Sequence, residues 1–414
     1  MPLQTIQAGE LAAIIKPHSR VFVTGSSNEP VGLLEGLEES GEALLDATFV
    51  QFPLPGLNRF DFTALNSTVR VETFFMTPAL RKAVDPSRIA YLPMQMRYVF
   101  DYLRRSPLDC ALIQVARDRD GRLRLGPNAD FFDAVRETAH IVVAELNAGF
   151  QPAAGAPLVT EASIDYVVET ERALTEMSSI EIDSVSARIG ALVAELINDG
   201  DCIQTGIGAI PAAILASLTE HSDLGLHGGL IDDGGMALVR NGNLNGAAKT
   251  RDQGIHTTGM AVGSRELYEW LADTPSVQLV GANITHEIKI LGSIEHFVSI
   301  NSAVEVDLEG QVNAEVVGGR QISGTGGSVD FMRAAKASRG GRSIIAMTST
   351  AKNDSVSRIV PAVEMVTALR TDVDIVVTEY GVADLRHATQ ETRREALIGI
   401  AHPDFRSTLR GATG

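Results

Sequence analysis

Apolar residues recur along this chain in short runs, broken by glycine turns and followed by stretches with apolar positions three or four apart. The clearest cases are "VFVTGSSNEPVGLLEGL" (Val21 to Leu37) and "CIQTGIGAIPAAILASL" (Cys202 to Leu218). Both place a Thr-Gly pair after an apolar run, a proline six residues after the threonine (Pro30, Pro211), and an aliphatic pair three residues beyond the proline (Leu33-Leu34, Ile214-Leu215). Strand, glycine turn and proline near a helix start is the pattern of a βα unit. A second pair of echoes follows in the same order, "HIVVAELN" (His140 to Asn147) and "DIVVTEYG" (Asp374 to Gly381). These are β-branched runs that reach a glutamate, the composition of strands buried on both faces of a parallel sheet. Two ordered echoes imply a duplicated α/β domain. The boundary is expected between residues 150 and 185, where "QPAAGAP" reads as a surface stretch. Ser184 to Gly200 then opens the second half as an amphipathic helix. The expected domains are 1–183 and 184–414. Open α/β sheets bind ligands at the carboxyl ends of their strands, so an active site is expected at the join of the two domains.

Composition narrows the class. At roughly 100–200 residues per domain, 414 residues allow two or three domains. A hydrophobic content of 44% with 38 glycines suits large buried sheets. The net charge of −17 argues against a nucleic-acid partner, which needs a basic face. The two cysteines, Cys110 and Cys202, lie far apart and give neither a disulfide framework nor zinc spacing, so no metal is expected. The first residues, "MPLQTIQAGELAAIIKP", are too polar for a signal peptide. No apolar run reaches the roughly 18 residues of a membrane span. A cytoplasmic protein without a membrane partner is expected.

Four segments carry candidate chemistry. "TGIGAIP" puts Gly206 and Gly208 in a strand-to-helix turn whose amides could hold a phosphate or a carbonyl oxygen, or simply make a tight turn. "ISGTGGSVDF" exposes backbone at Gly324, Gly326 and Gly327, as an anion nest or a close approach to ligand requires. "AMTSTAKNDSVSRIVP" gathers Thr348, Ser349, Thr350, Lys352 and Arg358, a hydroxyl-and-cation cluster suited to a phosphate-bearing ligand or to a solvated loop. "VTEYGVADLR" ends a strand at Glu379, a functional carboxylate or a structural ion pair. The histidines of "HEIKILGSIEH" lack ligand spacing and are expected at the surface. "RDRDGRLRL" is expected to be a hairpin turning at Asp120-Gly121, and a second turn is expected at Glu309-Gly310.

Taken in order, these blocks resemble the acetyl-CoA hydrolase/transferase family over nearly the whole chain. "FVSINSAVEVDLEGQVNAE", "SGTGGSVDFMRAA", "GGRSIIAMTSTAKNDSVSRIVP", "VDIVVTEYGVADLR" and "IAHPDFR" carry the resemblance in the second half, "DYLRRSPLDCALIQV" and "IDYVVE" in the first. The resemblance implies two similar CoA-transferase-type α/β domains with the active site at their interface, and coenzyme A as part of the substrate or product. It implies a glutamate nucleophile that forms an acyl anhydride and then a glutamyl-CoA thioester, with a carboxylate acceptor. It implies oxyanion stabilisation around Gly326 and Gly327, and an asparagine, mapped to Asn283 in "GANITHE", that holds the acyl group. CoA contacts fall on Gly206, Gly208, Gly324, Thr348, Ser349, Thr350, Lys352 and Arg358. A homo-oligomer is expected.

One segment departs from the family pattern. The nucleophile belongs to a stretch of the form H-T-E or H-S-E followed by D-G. Here that stretch reads "HGGLIDDG": His227 and Asp233-Gly234 are kept, but Gly229 stands at the glutamate position. Four readings follow. Water could attack, with His227, Asp232 or Glu379 as base. Asp232 or another carboxylate could replace the nucleophile. The chain could open a C–C bond in a cyclic CoA ester. It could also bind CoA ligands without catalysis.

Overall fold

The computed structural model describes residues 3–177 and 180–412. Residues 178 and 179, inside the stretch expected to hold the domain boundary, lie outside the described residues. The chain divides into two compact units. The first comprises Met1–Ser178 and Thr257–Ile284, the second Ser179–His256 and Thr285–Gly414.

The first unit is built on a nine-stranded sheet. Its strands are β1 (Gln4–Thr5), β2 (Arg20–Val23), β3 (Thr48–Gln51), β4 (Arg70–Thr73), β5 (Ile89–Tyr91), β6 (Leu108–Arg117), β7 (Leu123–Leu125), β8 (Ala139–Asn147) and β9 (Tyr166–Thr170). Eight of them run parallel in the order β1–β9–β8–β6–β2–β3–β4–β5, and β7 pairs antiparallel with β6. That antiparallel pair is the expected hairpin, and Gly121 at its turn has φ +79°. Parallel strands are covered on both faces, so their residues are apolar without alternation; Cys110 to Ala116 of β6 are all buried. Val21, Val23, Leu33, Leu37, Phe49, Leu112 and Val143 meet in one core.

Helix α1 (Val31–Ser40) follows the first Thr-Gly turn, with Pro30 as its N-cap residue. The glutamate of "HIVVAELN" explains itself here. Glu145 is fully buried and accepts from the Gly32 amide at 2.7 Å and from the Thr170 hydroxyl at 2.7 Å. It satisfies an otherwise open N–H at the start of α1, where a negative charge is favoured.

The second unit repeats the plan with six strands. These are β10 (Cys202–Gln204), β11 (Gly225–Leu226), β12 (Phe297–Asn301), β13 (Arg342–Ala346), β14 (Ile375–Thr378) and β15 (Gly381–Asp384), in the order β11–β10–β12–β13–β14–β15. All pairs are parallel except β14–β15. Helix α2 (Ser184–Ala194) opens the unit, capped by Asp183, whose carboxylate accepts from the Ser186 amide at 2.8 Å. It buries Ser186, Ile189, Gly190 and Val193, one helical face.

The division differs from a contiguous 184–414 domain. Residues 257–284 return to the first unit through main-chain bonds: Ala129 to Gly259 at 2.9 Å, Ala261 to Pro127 at 2.8 Å, and Leu279 to Gly155 at 3.0 Å. These are long-range pairings, and no change of composition marks them in the sequence.

Candidate functional site

Within the second unit, two glycine-bearing segments and one buried histidine come together. The first segment leaves β11 and runs through His227 and Gly228, both buried, to the half-buried Gly229. The second is the loop before helix α5, so numbered after α3 (Ala209–Ala216) and α4 (Asp233–Asn241); α5 spans Ser328–Ala337, with Gly327 as N-cap residue. A Cβ on Gly229 would stand 3.4 Å from both Cε1 and Nε2 of His286 and 3.7 Å from Phe331 Cζ. A Cβ on Gly327 would stand 2.3 Å from His286 Nε2 and 2.4 Å from Cδ2. The two glycines therefore flank one edge of the imidazole.

They are glycines for different reasons. Gly326 has φ +55°, a left-handed conformation that side chains resist. Gly327 has an ordinary φ of −98°, but any side chain would run into His286. Gly229 is constrained by neither: its φ is outside the left-handed region and its Cβ would make ordinary contacts. Backbone geometry and packing both tolerate a Cβ at 229.

His286 is held firmly. It is 1% exposed, its ring centroid lies 4.5 Å from that of Phe331, and Nδ1 is 2.8 Å from the Thr285 hydroxyl. Burial pushes its pKa down to about 3, because an imidazolium there would lose its hydration without gaining a counter-charge. The ring is neutral at any working pH. The expectation of a surface histidine is corrected at this position. Its sequence signal was weak, since nothing in "THE" separates a buried ring from an exposed one.

The other expected residues are placed as follows. Gly206 faces open space, with no atom within 4 Å of where its Cβ would stand, and Gly208, at φ +121°, is the N-cap residue of α3. Gly324 is buried in the loop before α5. His227 is fully buried at the end of β11. Asp232 caps α4, accepting from the Gly235 amide at 2.9 Å, and burial raises its pKa. Asn283 belongs to the first unit, close to Gly281.

The Thr348–Arg358 cluster is largely spent on itself. The Ser349 amide donates to Glu379 at 2.9 Å, and the Ser349 hydroxyl donates to the same carboxylate. The Thr348 hydroxyl donates to the Thr350 carbonyl at 2.8 Å and accepts from Arg358 at 2.7 Å. Thr350 donates to Asp354. Arg358 also donates to the Val304 carbonyl at 2.7 Å and to that of Ala303, and desolvation lowers its pKa. Lys352 alone of the group is exposed, at the head of three successive left-handed residues (φ +53°, +54° and +63° at 352–354). Among the described residues no group of three or more His, Cys, Asp or Glu side chains could hold a metal ion, and no helix is long and apolar enough to cross a membrane.

Two largely parallel sheets with glycine turns at the carboxyl ends of their strands define an α/β class of protein, in which ligands generally bind at those strand ends. Residues 3–178 match the acetyl-CoA hydrolase/transferase N-terminal domain and residues 263–413 the C-terminal domain. A 4-hydroxybutyrate coenzyme A transferase of Clostridium kluyveri is 37% identical over 410 residues, 98% of this chain and 96% of that one. The chain belongs to the acetyl-CoA hydrolase/transferase family. Among solved structures, RipA from Yersinia pestis aligns with a TM-score of 0.92 at 28% identity, covering 99% of this chain and 97% of RipA. A 4-hydroxybutyrate CoA-transferase from Porphyromonas gingivalis aligns at 0.84 and 33% identity, with coverage of 99% and 97%. The segment from His227 to Asp232 lies between the two family-domain matches.

Proposed function

We propose that this chain is a CoA-thioester-processing enzyme of the transferase or hydrolase kind, and that it works without a glutamyl-CoA intermediate at residue 229. The observation that carries this reading is the half-buried, unstrained Gly229 beside His286, Phe331 and Gly327. Glycine has no nucleophilic side chain, and the backbone at 229 does not demand glycine. Attack by water is the favoured course, because an uncharged lining gives a small neutral nucleophile access to the thioester carbonyl. In this reading the amides around Gly324 to Gly327 face the acyl group, and the turn at Gly206 and Gly208 and the exposed Lys352 hold the CoA moiety. Asp232 and Glu379, both engaged in backbone hydrogen bonds, serve as scaffold. The substrate is a small acyl-CoA; the relatives named above suggest 4-hydroxybutyryl-CoA for a first panel.

The test incubates the protein with acetyl-, butyryl-, succinyl- and 4-hydroxybutyryl-CoA and follows free thiol with and without acetate. Release without acetate is expected, with no modified carboxylate on peptide mass spectrometry after borohydride or hydroxylamine trapping. A trapped adduct on Asp232 or Glu379 would instead establish a relocated nucleophile. Gly229→Glu, whose Cβ the site accommodates, is expected to acquire acetate-dependent CoA transfer and a trappable adduct at residue 229.

A further inference from the structure

We infer that His286 is a catalytic residue of this chain: its neutral imidazole donates a hydrogen bond from Nε2 to the carbonyl oxygen of the bound thioester. The inference rests on the CoA-thioester reading above and adds the group that polarises the substrate.

Three observations converge on Nε2. First, Nδ1 is occupied by the Thr285 hydroxyl at 2.8 Å, while no hydrogen bond joins Nε2 to another described residue. A ring nitrogen in a residue only 1% exposed costs free energy if it stays unpaired. Second, that nitrogen lies where a side chain on either glycine would meet it, 3.4 Å from a Cβ on Gly229 and 2.3 Å from one on Gly327. Third, Gly327 is the N-cap residue of a ten-residue helix, whose first amides have no partner within the helix. A ring N–H and helix-terminal amides on one small volume are suited to an oxygen that gains negative charge.

Charge decides between a donor and a proton carrier. With its pKa pushed to about 3, His286 cannot store a proton near neutrality. A neutral ring can still donate: where the threonine hydroxyl donates to Nδ1, the proton sits on Nε2, which is the tautomer this role requires. The step balances simply. The water oxygen bonds to the carbonyl carbon, and the C=O π pair moves onto the oxygen held by Nε2–H. The pair returns as the C–S bond breaks. One water proton ends on the CoA sulfur and the other on the acid product, which then ionises. His286 neither gains nor loses a proton.

The experiment uses the full chain with 15N-labelled histidine, His286→Gln serving to assign the resonance, and steady-state thiol release from the best thioester of the panel. The expected spectrum shows Nε2 protonated, Nδ1 bare, and the Nε2 signal moved by acetyl-CoA. His286→Ala is expected to lower kcat by about 100-fold or more with KM changed less than about threefold, the signature of a lost oxyanion donor. Asn or Gln at 286, which keep an N–H, should recover part of kcat. The opposite tautomer, or an alanine variant with wild-type kcat, or amide variants no better than alanine, overturns the inference. If alanine prevents folding, as a melting curve would show, the wild-type spectrum decides. If the wild type releases no thiol from any thioester, the functional reading fails by itself; a shift of the Nε2 signal by acetyl-CoA then still supports the contact, and an unmoved signal ends it.

Discussion

The segment Leu226–Gly235 and the segment Ala346–Arg358 look unequal in sequence, and in the opposite sense to what the structure shows. The second is crowded with hydroxyls and cations, the first nearly empty of them. Yet the hydroxyls at 348–350 and the Arg358 guanidinium are bonded to neighbouring groups of their own unit. The empty segment borders an imidazole edge with no bonding partner among the described residues. Polar residue types advertise bonding capacity, but folding uses that capacity first to satisfy buried backbone and neighbours. What remains for a ligand is often backbone, a single ring nitrogen, or one exposed ammonium.

The strongest way to break this comparison is Gly327→Ala. The added Cβ would meet His286 at 2.3–2.4 Å, and the ring is pinned by Phe331 and Thr285. Overpacking of this kind costs about 1–3 kcal/mol in stability. Turnover should fall by about 100-fold or more, because the ring must leave its place. Normal thiol release from a folded variant would show that the imidazole edge is not part of the site.

Arg358→Met probes the crowded segment. If the guanidinium is a strut, its loss leaves the Ala303 and Val304 carbonyls and the Thr348 hydroxyl short of a donor. Unsatisfied buried acceptors cost about 1–3 kcal/mol each at most, so a loss of about 2–4 kcal/mol in denaturant unfolding is expected. CoA affinity measured well below the melting temperature should change little. A stable variant with weakened CoA binding would restore Arg358 to the ligand.

Much of the fold was legible because its signals are local. The Thr-Gly turns, Pro30, the Asp120-Gly121 hairpin and the helix from Ser184 each need only a few neighbouring residues to specify them. The return of residues 257–284 to the first unit was not legible, since strand pairing over more than 100 residues leaves no local mark. The site shows the same split. "HGG" at 227–229 could be singled out by its type, but Asn283 and His286 lie three residues apart on a single run of sequence. The unit boundary passes between Ile284 and Thr285 and sends them to different units. Spacing along the chain cannot decide which side chain faces Gly229.

A milder test sharpens the same contrast. Lys352 is exposed on a left-handed turn and is the group of its segment left for an anionic ligand. Lys352→Ala is expected to weaken CoA binding by about 1–3 kcal/mol, the value of one charge-assisted hydrogen bond, with the melting temperature unchanged. Calorimetry giving equal affinities would place the CoA phosphates elsewhere.

The smallest effect concerns Asp232, the one carboxylate next to the glycine pair in sequence. As a helix cap it holds the Gly235 amide, and burial raises its pKa above the ordinary aspartate value of about 3.9. The sign follows from linkage. Where a carboxyl binds its proton more tightly folded than unfolded, the unfolded state carries fewer protons between the two pKa values, and stability falls as pH rises through that interval. Asparagine is an equally good N-cap but cannot ionise. The melting temperature of Asp232→Asn relative to wild type should therefore rise as pH increases from about 4 towards the folded-state pKa, then level off. Thiol release should stay within about threefold of wild type at neutral pH. A general base would behave otherwise, since its loss typically costs about 100- to 10,000-fold in rate. A drop of that size in a variant that melts normally would move Asp232 from the frame of the site to its chemistry, and the first segment would then hold a carboxylate that acts after all.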